Sequence, residues 1–160
     1  MKILFVCTGN ICRSPMAEAM ARQILHDKGF TDVEVSSAGT SAAEGSPASE
    51  GAYLVGLEKG LDLSVHSATF LTRSVVQGAD LILCMSPHHV QRVQALGGEG
   101  KGHLLGQYAG RHEDEAEVED PFGGELDDYR RTYDQLKLMI GDAVERFLQG
   151  GARDAGGKRD

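Results

Sequence analysis

Positive charge is scarce in this chain. Its 16 lysines and arginines face 24 aspartates and glutamates, for a net charge of −8. They form no basic stripe, so a nucleic-acid-binding surface is not expected. Long apolar runs are missing too. The N-terminal run Ile3-Leu4-Phe5-Val6 falls far short of the roughly 20 residues a membrane span requires. Asn10 and Arg13 break up the next stretch of chain, so no signal peptide is read there and no membrane partner is expected. Cysteine is sparse. Cys7, Cys12 and Cys84 are three in all, an odd number that makes no disulfide framework and a spacing that fits no common zinc pattern. Neither a metal nor a cofactor is expected, and the thiols suit a reduced, cytoplasmic protein.

What is present is an alternation of apolar runs and amphipathic stretches over 160 residues, enough for one domain with a real core. Lys2 to Val6 reads as a buried strand, Val33 to Gly39 as a second, Asp80 to Met85 as a third and Lys101 to Leu105 as a short fourth. Three of the four prolines follow a serine, and each Ser-Pro pair predicts a helix start, with serine as N-cap and proline at the first helical position. These are Ser14-Pro15, Ser46-Pro47 and Ser86-Pro87. Leu71 to Gln77 predicts a short helix. A last helix is expected from near Asp127 or Asp128, with Tyr129, Tyr133, Leu136, Ile140, Val144 and Phe147 on one face. Residues 149–160 are rich in glycine and charge and are expected to form a disordered tail. The domain proper is therefore 1–148. Strands alternating with helices predict an α/β fold with a parallel sheet, whose ligands bind beyond the carboxyl ends of its strands.

The loop Cys7-Thr8-Gly9-Asn10-Ile11-Cys12-Arg13-Ser14 leaves the first strand at that end. A thiol, a guanidinium and a helix N-terminus converge there, and each favours an anion. The backbone between Thr8 and Ser14 can wrap a phosphate if it curls, and Gly9 removes a side-chain obstacle to the curl. Arg13 offers a planar fork to two phosphate oxygens. Cys7, at the base of the loop, can approach phosphorus opposite the leaving group, and Ser14 can donate to its sulfur. Cys84, inside an apolar strand, reads instead as a small core hydrophobe. An oxygen leaving group needs a proton. Asp120 is a candidate donor, because Pro121 stiffens its loop and Phe122 can wall a pocket. On spacing alone, closure of a solvated acidic loop is an equal account of Asp120.

At this point the residues resemble the low-molecular-weight protein tyrosine phosphatases. The stretch from Val6 to Glu18 is similar to that family's signature, and Asp120-Pro121-Phe122 is similar to its general-acid loop. Ser36 to Thr40, His66 and Asp80 to Met85 also fall where the family has counterparts. The resemblance spans about residues 1 to 148. It implies a flavodoxin-like, three-layer α/β/α fold with a four-stranded parallel sheet. It implies that Cys7 is the nucleophile, Arg13 the phosphate clamp and Asp120 the acid. Thr8, Gly9, Ile11, Cys12 and Phe122 then line the phosphate or substrate site. Asn10 would hold the loop's shape, aided by Ser37 and His66, and Ser14 would stabilise the thiolate. Without the resemblance, Ser37 reads as a strand-end serine and His66 as a connector histidine.

The implied substrates are phosphorylated proteins, with phosphotyrosine expected over phosphoarginine. Gly123 stands where many eukaryotic members carry a second aromatic, which leaves the pocket less closed. The Asp-Pro-Phe-Gly-Gly form also resembles a bacterial branch that includes protein arginine phosphatases. Those carry Thr where this chain has Ile11. An apolar flank suits a phenyl ring and leaves guanidinium N–H groups unpaired. Arsenate reduction on the same fold needs resolving thiols beyond Cys84, and none follows it. A non-catalytic phosphate-binding module would be expected to lose Cys7, Arg13 or Asp120. Cys12, in the same loop as Cys7, either packs beneath it or forms a reversible disulfide that protects it. The oligomeric state is left open, with a monomer as the expectation.

Overall fold

The computed structural model describes residues 1–152. Its centre is a four-stranded sheet of β1 (Lys2–Cys7), β2 (Glu34–Gly39), β3 (Leu81–Cys84) and β4 (Gly102–Leu104) in the order β2-β1-β3-β4. Every pairing is parallel. The order turns back on itself at β1, which pairs with β2 on one side and β3 on the other. In open α/β sheets the ligand crevice opens at such a reversal, outside the carboxyl ends of the strands.

β1 is buried on both faces, as a continuous apolar run in a parallel sheet should be. Ile3, Phe5 and Cys7 face a core shared with α1 (Arg13–Asp27), α2 (Glu50–Glu58), α5 (Leu105–Tyr108) and α6 (Leu126–Phe147). Leu4 and Val6 face a smaller core with α3 (Arg73–Gln77) and α4 (Pro87–Ala95). This is the three-layer α/β/α arrangement that the resemblance implies. The alternation along β1 places Cys7, its last residue, on the same side as α1.

The Ser-Pro device holds at one of its three places. Ser86 is the N-cap of α4, with Pro87 at the first position. α1 instead begins at Arg13 with Cys12 as its N-cap, because the Ser14 hydroxyl is bonded to Cys7 and Asn10. α2 begins at Glu50, not beside Pro47. Its cap is Ser49, whose hydroxyl accepts from the Ala52 amide. Residues 46–48 are irregular because their neighbours bond elsewhere: Ser46 O accepts from Ala68 N, and Ser49 N donates to Ile11 O. α5 and a 3-10 turn at Glu113–Glu115 carry no apolar period long enough to read in advance. The expected tail begins inside structure, since Leu148–Ala152 continue past α6 as one wider π turn. Residues 153–160 lie outside the described residues. No helix among the described residues is long and apolar enough to cross a membrane.

Candidate active site

The loop after β1 folds back over its own strand. Its carbonyl oxygens are taken up from outside: Cys7 O by Thr40 N, Thr8 O by Ser41 N, Asn10 O by His66 Nε2 at 2.7 Å and Ile11 O by Ser49 N. With those oxygens held outward, the Asn10 amide turns inward and donates to Cys7 Sγ at 3.3 Å. Gly39 allows the close approach, because a Cβ there would lie 2.5 Å from Thr8 O and 2.8 Å from Asn10 N.

Asn10 is the pivot of the curl. It is fully buried and has a φ of 56°, a left-handed conformation that asparagine tolerates better than most side chains. Its Nδ2 donates to Ser14 Oγ (2.8 Å) and Ser37 Oγ (2.9 Å), and its Oδ1 accepts from Thr69 N (2.8 Å). Ser37 in turn donates to Glu18, which pairs with Arg22. Ser37 and His66 thus both reach the loop through Asn10. A single turn residue gathers bonds from β2, α1 and the 66–69 connection.

Cys7 is buried, with Sγ 2.9 Å from Ser14 Oγ. Arg13 is 3% exposed. Its Nη1 donates to Ser86 Oγ (3.2 Å) and Val118 O (3.1 Å), while Nη2 lies 3.5 Å from Asp120 Oδ2. A buried guanidinium is held where its partners define its direction, and these three point it at the loop's mouth. Asp120 is exposed, and its Oδ1 accepts from Phe122 N. Its loop is pinned through Val118, whose N–H donates to Met85 O at the end of β3, and through Gln135 of α6, which bonds Glu117 and Glu119. Cys7, Thr8, Gly9, Ile11, Cys12, Arg13, Asp120 and Phe122 line one cleft. The thiol forms the base, the guanidinium and the carboxylate stand to one side, and Ile11 and Phe122 supply apolar wall.

Cys12 is buried next to this cleft. Burial pushes its thiol pKa up, while its hydrogen bonds with Ser49 and Tyr129 act the other way. Cys84 is fully enclosed, and burial alone takes its thiol up to about 12. Cys7, Cys12 and Cys84 are all free thiols. Among the described residues no cluster of His, Cys, Asp or Glu is arranged to hold a metal ion.

Four participants escape a reading of the sequence. Ser86 and His89 reach the loop from α4, and Val118 and Thr69 reach it through their backbones. The signal that could have found Ser86 is its place just past β3, beside β1 in the sheet, where the crevice rule puts ligand-facing residues. Backbone contacts such as those of Val118 and Thr69 leave no trace in residue type.

A family model described as low molecular weight phosphotyrosine protein phosphatase matches residues 2–150. A protein-arginine-phosphatase of Bacillus subtilis is 40% identical over 143 residues, which are 88% of this chain and 92% of that protein. The low molecular weight protein-tyrosine-phosphatase PtpB of Staphylococcus haemolyticus is 37% identical over 142 residues, with 88% and 96% covered. Among solved structures, the YwlE arginine phosphatase, in a mutant with a phosphorylated active-site serine, superposes with a TM-score of 0.86. It is 36% identical, and the match covers 94% of this chain and 97% of that one.

Proposed function

The chain belongs to the low molecular weight phosphotyrosine protein phosphatase family and is a phosphatase, a hydrolase; on that premise we propose that it hydrolyses phosphotyrosine in proteins through a phosphocysteine on Cys7. The observation that carries this reading is the convergence of Cys7, Arg13 and Asp120 on one cleft with two apolar walls. Cys7 sulfur attacks phosphorus in line with the leaving oxygen. The S–P bond forms as the P–O bond breaks, and Asp120 gives its proton to the departing phenolate. Asp120 then takes a proton from water, which attacks phosphorus, breaks the S–P bond and returns free thiolate and inorganic phosphate. Arg13 and the loop amides hold the three equatorial oxygens throughout, so positioning and a fixed positive field supply most of the rate. Asn10 keeps the loop in shape, with Ser37 and His66 behind it, and Ser14 steadies the sulfur between steps.

Ile11 and Phe122 favour a phenyl ring over a guanidinium, whose N–H groups would lie against hydrocarbon. A second reading, phosphoarginine as substrate, is supported by the activity named for the Bacillus subtilis relative. The enzyme acts as a monomer in a reducing cytoplasm, a setting its free thiols suit. Peroxide converts Cys7 to a sulfenic acid, which condenses with Cys12 to a disulfide and water. The presence of both thiols at one cleft supports this protective step.

Turnover of a phosphotyrosine peptide and a phosphoarginine peptide, measured side by side, tests the reading. The tyrosine peptide is expected to be the better substrate, and Cys7→Ser is expected to abolish release of phosphate from both. Preference for the arginine peptide would overturn the substrate assignment, and activity surviving in Cys7→Ser would overturn the mechanism. In the same panel, after peroxide and then dithiothreitol, Cys12→Ser should recover less activity than the unaltered enzyme.

A further inference from the structure

His89 is fully enclosed on the first turn of α4, and both of its ring nitrogens are engaged. Nδ1 accepts from the Ser86 backbone N–H at 3.0 Å. An amide N–H can only donate, so Nδ1 carries no proton and a neutral ring must carry it on Nε2. Nε2 lies 2.9 Å from Thr8 Oγ1, 81 residues away in the chain. The ring is therefore the donor in that pair and the threonine oxygen the acceptor. With that side of the oxygen occupied, the hydroxyl's own proton is left to point elsewhere, and Thr8 lines the cleft together with Cys7, Arg13 and Asp120.

Resting on the phosphatase reading, we propose that His89 is a positioning residue, whose Nε2–H sets the Thr8 hydroxyl as a donor to the phosphoryl group bound over Cys7. The same histidine secures the opposite side of the cradle. By holding the Ser86 amide it fixes the start of α4, and Ser86 Oγ there accepts from Arg13 Nη1 at 3.2 Å. One buried ring thus braces Thr8 directly and Arg13 through Ser86. An aliphatic side chain would fill the same space and leave the hydroxyl free to turn its proton away. Burial, followed by electrostatic repulsion from the neighbouring His88 and Arg13, pushes the pKa of the ring down to about 3, so the neutral form persists across the working range.

The test has a spectroscopic arm and a kinetic arm. A long-range 1H–15N spectrum of the unaltered protein at neutral pH is expected to show His89 protonated on Nε2 and bare on Nδ1. A charged ring, or a proton on Nδ1, overturns the proposal. In p-nitrophenyl phosphate turnover, Thr8→Val and His89→Leu are each expected to lower kcat/KM by about tenfold, the value of one well-placed hydrogen bond. His89→Gln, whose amide can donate from a similar position, should recover most of the loss. Adding His89→Leu to Thr8→Val should cost clearly less than His89→Leu costs alone, because the part that runs through the Thr8 bond is already lost and only the hold on Arg13 through Ser86 remains to lose. Full additivity, or an unchanged kcat/KM in Thr8→Val, overturns the proposal. If His89→Leu does not fold, Thr8→Val alone and the spectrum of the unaltered protein still decide. An unaltered enzyme that turns nothing over would defeat the phosphatase reading and leave the tautomer result standing, so the two failures are distinct.

Discussion

Ile11 is a half-buried apolar residue in the loop that lines the cleft over Cys7. Its neighbours explain why it can be there. Its carbonyl is bonded to Ser49 N and its side chain lies beside Gly9, so the backbone serves the curl while the side chain is free to face substrate. A residue with that freedom can set selectivity without disturbing the chemistry beneath it. Ile11→Thr is expected to raise the ratio of phosphoarginine to phosphotyrosine turnover by about tenfold, since an unpaired buried N–H costs ~1–3 kcal/mol. The ratio of kcat/KM on the two peptides measures this, and no rise would count against Ile11 as the discriminator. Asn10 is the opposite case. It spends every polar atom on the fold, and only the family resemblance pointed to it in the sequence.

At the scale of elements, the loop that carries Asp120 is the part that had to be delivered from afar. Bonds to other elements, not bonds within residues 113–120, bring Asp120 to Arg13. The delivery depends on three short supports: Val118 on the end of β3, Gln135 of α6 on the loop backbone, and α5 on Ala116. In the last of these Gly106 N donates to Ala116 O at 3.1 Å, and a Cβ on Gly106 would overlap that oxygen. Backbone cannot yield there as a flexible side chain would. Gly106→Ala is therefore expected to destabilise the protein by ~1–3 kcal/mol and to lower kcat as Asp120 is displaced from Arg13. Urea unfolding and p-nitrophenyl phosphate kinetics on the same preparation measure both effects. Full kcat with lowered stability would mean that α5 supports the fold but does not place the acid.

For the whole molecule, buried titratable groups shape a window of pH stability, and His89 and Cys84 carry large shifts on its two sides. His89 has an ordinary pKa of 6.5 unfolded and about 3 folded. Between those values the unfolded chain binds more protons, so stability falls as pH drops through the interval. Cys84 has an ordinary value of 9.0 and a folded value of about 12. The unfolded chain loses its proton first, so stability falls as pH rises from 9.0. The free energy of unfolding is expected to be flat from about pH 7 to 9 and to slope down on both sides, by at most ~1.4 kcal/mol per pH unit for each group. Denaturant titrations across pH would measure it. His89→Gln should flatten the acid limb and Cys84→Ala the alkaline limb. Unchanged limbs would show that other groups control them.

The four strands, the longer helices and the burial of β1 were determined by the sequence alone, because apolar period carries them, and local residue type nominated residues 7–14 as an anion loop. Ser86-Pro87 was legible for the same reason: an N-cap and a proline act within one turn. Ser14-Pro15 and Ser46-Pro47 misled because other partners override the local preference, Cys7 and Asn10 of the same loop for the Ser14 hydroxyl and the distant Ala68 and Ile11 for the backbone at 46–49. Asp120 could be nominated from Pro121 and Phe122, but its distance from Arg13 could not be read along the chain. The brace formed by His89 on Thr8 was legible nowhere in the sequence. A histidine on α4 and a threonine after β1 become partners only when the parallel pairing of β1 with β3 sets their carboxyl ends side by side. Hydrogen bonds across a sheet depend on that juxtaposition in space, which only the tertiary structure decides.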